Sequence, residues 1–119
     1  MNTPRDWAAV INGLSDDVHE LARSKGWYED QEKSTDAIAA KLALVHSEVS
    51  ECVECLRDGD ERLRFADSGK PEGLPAELAD IIIRTLDLAG WLGVDIGSAV
   101  LVKHQYNATR PHRHGGKRL

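Results

Sequence analysis

The chain has almost no cysteine, no long apolar run and no excess of basic charge, and each shortage closes off a class of protein. Cys52 and Cys55 are its only cysteines in 119 residues. Their C-x-x-C spacing has no second pair to complete a zinc site. It also lies inside a helical pattern, not at the start of a helix after a strand, where a redox motif belongs. Both are read as ordinary reduced thiols, with Cys52 the better core position. No apolar stretch approaches the length that spans a bilayer. The start, Met1 to Trp7, is polar and has no apolar signal core. The expectation is a soluble cytoplasmic protein with no membrane partner. Basic residues number 15 against 20 acidic ones, a net charge of −5. That balance disfavours a general binder of nucleic-acid polymers. No convincing strand, internal repeat or low-complexity segment is present.

Hydrophobic residues are 41% of the chain and charged residues 29%, the composition of one globular domain. A chain this short buries a modest fraction of its surface, so pairing with a second copy would help it. Proline and glycine divide it into four helical stretches. The first runs from about Arg5 to Ser24, with Val10, Leu14, Val18 and Leu21 on one face, and ends at Gly26. The second has Ser34 as N-cap and Asp36 in its first turn. Its seam Ile38, Leu42, Val45, Val49, Cys52 and Leu56 steps by four and three residues, as packed helices do. Gly59 ends it. Residues 59–75 are irregular, with at most a turn of helix over Glu61–Ala66, and a connection of that length is often functional. The third helix starts at Pro75–Ala76, with Leu78, Ile81, Ile82, Leu86, Ala89 and Leu92 as its apolar face, and stops at Gly93. Asp95 caps a fourth helix that reaches Thr109, where Arg110-Pro111 closes it. The expected architecture is all-α and four-helix bundle-like over residues 1–110, followed by a flexible tail at 111–119. Arg110, Arg113, Lys117 and Arg118 make this end basic with no acid, which leaves about −9 on the rest of the chain.

Two acid pairs carry the candidate chemistry. Glu48 and Glu51 sit one turn apart on the second helix, and Glu77 and Asp80 share that spacing on the third. Each pair borders an apolar face instead of opposing it. If those faces pack together, the pairs confront each other, and unit charges about 4 Å apart repel by ~4 kcal/mol at an effective dielectric of about 20. Protonation, basic partners or divalent cations must compensate. Oxygen-only donors suit hard cations such as Mg²⁺ or Mn²⁺. A di-iron site of the ferritin type wants Glu-x-x-His, and neither pair provides it. A solvated helix face with acids at this spacing stands as the plain alternative, with Glu54 and Asp87 as further acids nearby.

Glu48-x-x-Glu51, 25 intervening residues and Glu77-Leu-Ala-Asp80 resemble the signature of the MazG-type nucleotide pyrophosphohydrolases. That family's pattern is E-E-x-x-E followed by E-x-x-D. The run Lys103 to Pro111 is similar to the family's C-terminal end. Ser47 stands where the family has the first glutamate of its doublet. The resemblance implies an all-α, Mg²⁺-dependent nucleoside triphosphate pyrophosphatase that forms homodimers or homotetramers and releases a nucleoside monophosphate and pyrophosphate. It makes Glu48, Glu51, Glu77 and Asp80 metal ligands, with Mn²⁺ an alternative ion and Glu51 the acid that acts on the attacking water. Lys103, Asn107 and Arg110 become phosphate contacts.

Base recognition falls to an aromatic in a connector, and Trp27 is the choice over Trp7. Trp91 continues an apolar face and is expected in the core. His19 reads as a polar-face residue, and His46 as a neighbour of the acids. A helical interaction module without catalysis, and a related phosphoribosyl-ATP or dUTP pyrophosphatase, are the competing functions.

Overall fold

A computed structural model describes residues 4–112, and over them the chain is all-α apart from one small hairpin. The helices are α1 (Pro4–Ser24), α2 (Thr35–Arg57), α3 (Leu74–Leu92) and α4 (Ile96–Ala108). Their ends follow the local chemistry. The Ser34 hydroxyl accepts from the Ala37 amide at 3.1 Å to open α2, and Asp95 accepts from the Ser98 amide at 3.0 Å to open α4. Arg113, Lys117 and Arg118 of the basic tail lie outside the described residues. No single described helix is long and apolar enough to cross a membrane.

Within residues 59–75 the expected turn of helix is replaced by an antiparallel hairpin, β1 (Arg64–Phe65) and β2 (Pro71–Glu72), in which Arg64 pairs with Glu72 and Phe65 with Pro71. Two-residue strands leave no alternation to detect. Side-chain ion pairs join the backbone bonds in this hairpin. The Arg64 guanidinium donates from Nε and Nη2 to the two oxygens of Asp60 at 2.9 and 2.8 Å, and from Nη1 to Glu72 at 3.3 Å. The amide of Leu74 donates to the Asp60 carbonyl, which ties the hairpin to the start of α3. Gly73 at that junction has φ +98°, and a side chain there would run into the Arg62 carbonyl.

The helices pair in series: α2 on α3, α3 on α1, and α1 on α4. α4 turns away from α3 at 119°. Its close approach to α1 depends on Gly97, where an added Cβ would strike the Ala8 backbone. Asn12 fastens the crossing. Its Nδ2 donates to Asp95 at 2.7 Å and its Oδ1 accepts from the Gly97 amide at 2.8 Å.

The core is Ala22, Cys52, Cys55, Leu86, Leu88, Ala89 and Trp91, with the Ser15 hydroxyl donating to the Leu86 carbonyl at 2.6 Å. Both cysteines are buried and free, and Trp91 takes its expected place. Half of the apolar seam expected on α2 is covered, and half is not. The covered line is Ile38, Lys41, Val45, Glu48, Cys52 and Cys55, while Leu42, Val49 and Leu56 stay exposed. The helix is rotated so that its charged border, Lys41 and Glu48, meets α3 together with Ile38, Val45 and Cys52 of the seam. On α3, Leu78 and Ile82 are also exposed. Among the described residues no side chain is completely buried.

Candidate metal centre and the cavities beside it

The rotation of α2 brings Glu48 to α3. Glu77, Asp80 and Arg84 follow one another at three and four residues on α3 and so share a face. Carboxylate oxygens of Glu48, Glu77 and Asp80 lie within 4.8 Å of one another. Glu48 and Glu77 are half-buried and Asp80 is exposed. Glu51 is exposed and outside this triad, yet near enough for its charge to act on Glu77 and on Cys52 below. The Ser47 hydroxyl donates to the Leu44 carbonyl of its own helix at 2.7 Å and takes no part in the triad.

The charge balance is poor. Arg84 Nε donates to Glu48 Oε1 at 2.7 Å, the one direct cation contact that a triad carboxylate receives among the described residues. Lys70, in the turn of the hairpin, contributes favourably from further off. The Glu77 carboxyl is pushed above the usual range, by burial first and then by Asp80, Glu48 and Glu51. Asp80 moves the same way through partial burial and Glu48, with Arg84 and Lys70 opposing. The Cys52 thiol is raised too, chiefly by its own burial. Three convergent oxygen donors with too little positive charge fit a hard divalent cation, in donor type and in electrostatic demand.

Two cavities flank the triad. One, of about 190 Å³, lies among Trp27, Tyr28, Lys41, Leu44, Arg84 and Asp87. The other, of about 120 Å³, shares Trp27, Arg84 and Asp87 and adds Asp80. Trp27 and Asp80 therefore line one space. Asp87 is a half-buried anchor. His19 Nδ1 meets one of its oxygens at 2.9 Å and the Tyr28 hydroxyl donates to the other at 2.7 Å. This corrects the polar-face reading of His19. The ring packs edge-on against Tyr28, at 4.8 Å between centroids, and Tyr28 packs in turn on Trp91 at 5.1 Å. Burial and the bond to Asp87 push the Tyr28 phenol well above its ordinary value. Lys41 sits with Nζ 4.2 Å from the Tyr28 ring centroid, in cation–π geometry.

Lys103 and Asn107 line a third hollow, of about 360 Å³, formed by α4 side chains with no triad carboxylate in its wall. Arg110 lies just past α4, its amide donating to the Asn107 carbonyl. One chain thus gathers Glu48, Glu77, Asp80 and Trp27, places Glu51 at their edge, and keeps Lys103, Asn107 and Arg110 apart. His46 is exposed, and Glu54 pairs with Arg57 at 3.5 Å on the surface.

Sequence reasoning passed over Lys41, Lys70, Arg84 and the His19–Asp87–Tyr28 cluster. Arg84 was within reach, since it lies four residues after Asp80 on the same face. The cluster joins three distant segments and has no local signal. No family model, no curated protein and no solved structure matches the chain.

Proposed function

We propose that the chain is a Mg²⁺- or Mn²⁺-dependent nucleotide pyrophosphohydrolase of the MazG type, which cleaves a nucleoside triphosphate to the monophosphate and pyrophosphate. The observation that carries this reading is the triad: carboxylates of Glu48, Glu77 and Asp80, from two helices, within 4.8 Å of one another and beside an aromatic-walled cavity. Its electrostatic need for a divalent ion matches that of a polyphosphate. When bound there, such an ion neutralises phosphate charge and lowers the pKa of water.

The chain's own residues supply the rest. Glu48, Glu77 and Asp80 hold the ion. Glu51, near the triad but outside it, orients the attacking water and takes its proton, which then leaves to solvent. Trp27 stacks on the base at the cavity mouth. Phosphoryl chemistry of this kind depends on positioning and charge more than on covalent help from the protein.

The assembly is proposed to be a homo-oligomer. Val49, Val53, Leu56, Leu78 and Ile82 are exposed on the two helices that carry the acids. In such an assembly Lys103, Asn107 and Arg110 reach a triad from a neighbouring copy.

The test is incubation with Mg²⁺ and a panel of nucleoside triphosphates, phosphoribosyl-ATP and dUTP included, with product analysis. Monophosphate and pyrophosphate are expected, and Glu51→Gln and Asp80→Asn should abolish them. No turnover across the panel, or turnover untouched by both substitutions, defeats the proposal and leaves a helical interaction module. The panel also separates the related pyrophosphatases, because the carboxylates read the metal and not the base.

A further inference from the structure

The cavity of about 190 Å³ next to the triad is lined by two cations, Lys41 and Arg84, and one carboxylate, Asp87. Arg84 uses Nε on Glu48, and its terminal amino groups donate to no protein acceptor among the described residues. Lys41 rests over the Tyr28 ring and makes no hydrogen bond or ion pair among the described residues. Asp87 lines the same space, and each of its oxygens meets one partner, His19 or Tyr28. The wall therefore sets two cations against one carboxylate, with donors left over on both cations. Water occupies about 30 Å³ in the liquid, so a phosphate group fits within this volume. The two cations come from α2 and α3, the same helices as the triad, and Arg84 belongs to both places: its Nε is on Glu48 and its side chain lines the cavity.

We propose that Lys41 and Arg84 form an oxyanion subsite that binds a phosphate group of the ligand whose neighbouring phosphates meet the carboxylate triad. This rests on the pyrophosphohydrolase reading for the ligand's identity, though not for the subsite's existence. A guanidinium held by one edge presents its other edge as a planar fork, which suits two phosphate oxygens. Lys41 adds a point charge whose position is set by the Tyr28 ring. The phosphate contacts are thus built into the α2–α3 pair of a single copy, before α4 of any neighbour is involved.

Calorimetric titration of inorganic pyrophosphate into the full chain at fixed Mg²⁺ reads this subsite without turnover. Titration of Mn²⁺ alone, followed by electron paramagnetic resonance, reads the triad separately. Lys41→Gln and Arg84→Gln are each expected to weaken pyrophosphate binding about tenfold, the loss of one charge-assisted hydrogen bond. Lys41→Gln should leave Mn²⁺ binding unchanged, since Lys41 touches no triad carboxylate. Arg84→Gln should tighten it, because a competing cation has gone. Full pyrophosphate affinity in both variants overturns the proposal. So does a Lys41→Gln variant whose Mn²⁺ affinity falls in parallel, which would locate the effect at the triad. If wild type binds pyrophosphate, loses it on Lys41→Gln and yet hydrolyses no nucleotide, the subsite stands and the enzymatic reading falls. If nucleotide is turned over while KM and pyrophosphate affinity are unchanged in both variants, the enzyme stands and the subsite falls.

Discussion

Replacing Glu77 by Gln should stabilise the metal-free protein and abolish most of its response to Mg²⁺. In the folded chain Glu77 faces Glu48 and Asp80 with oxygens within 4.8 Å. At that separation each like-charged pair costs about 3.5 kcal/mol at an effective dielectric of about 20. Arg84 on Glu48 and the more distant Lys70 return part of this, and solvent at the exposed Asp80 screens more. A net relief of about 1–2 kcal/mol is expected from Glu77→Gln, or about 4–8 °C in Tm for a chain of this size. The sign with pH follows from the raised Glu77 carboxyl. A carboxyl whose folded value lies above its unfolded value favours folding most when protonated. That contribution is whole below the ordinary carboxylate range, about pH 4, and is lost as pH rises through the raised value. The advantage of Glu77→Gln in EDTA should accordingly be largest at neutral pH and vanish toward pH 4. Saturating Mg²⁺ should invert the ranking, since an ion at about a hundred times its Kd adds about 2.7 kcal/mol to the wild type and far less to a triad with one ligand neutralised. Thermal scans in EDTA and in Mg²⁺, at pH 4.5 and 7.5, measure all of this. A variant less stable than wild type in EDTA at neutral pH, or equal Mg²⁺ stabilisation of both proteins, would refute the reasoning.

Gly97→Val should cost about 1–3 kcal/mol, read as a lower Tm, because the new side chain meets the Ala8 backbone where α4 crosses α1. The Tyr28 phenol should resist deprotonation in an ultraviolet pH titration. Asp87→Asn should bring its midpoint down, since one of the two main causes of its elevation is the bond to that carboxylate. Sedimentation should find more than one copy per particle, and Val49→Glu or Ile82→Glu should shift it toward the monomer by placing charge on exposed apolar positions.

The helices were plain in the sequence because their limits are local. Ser34 and Asp95 cap through their own side chains, and apolar residues at three- and four-residue spacing mark a helix whatever it packs on. The hairpin at Arg64–Phe65 and Pro71–Glu72 escaped because its strands are too short for a pattern and lean on Asp60 and Glu72 for their hold.

The sequence by itself determined the composition of the candidate site: acid pairs one turn apart on two consecutive helices, each on the border of an apolar face. It could not determine how far each helix is turned about its axis, because α2 offers both an apolar seam and a mixed line to a partner. Tertiary packing chose the mixed line, which keeps Ile38, Val45 and Cys52 of the seam. That choice placed Glu48 against Glu77 and Asp80, set Glu51 at the margin, and turned Lys41 toward Arg84. Leu42, Val49 and Leu56 were left facing outward. Packing also drew His19, Tyr28 and Asp87 together from three segments. Spacing along a helix is dictated by local geometry, whereas helix rotation and long-range contact depend on the burial of every face at once.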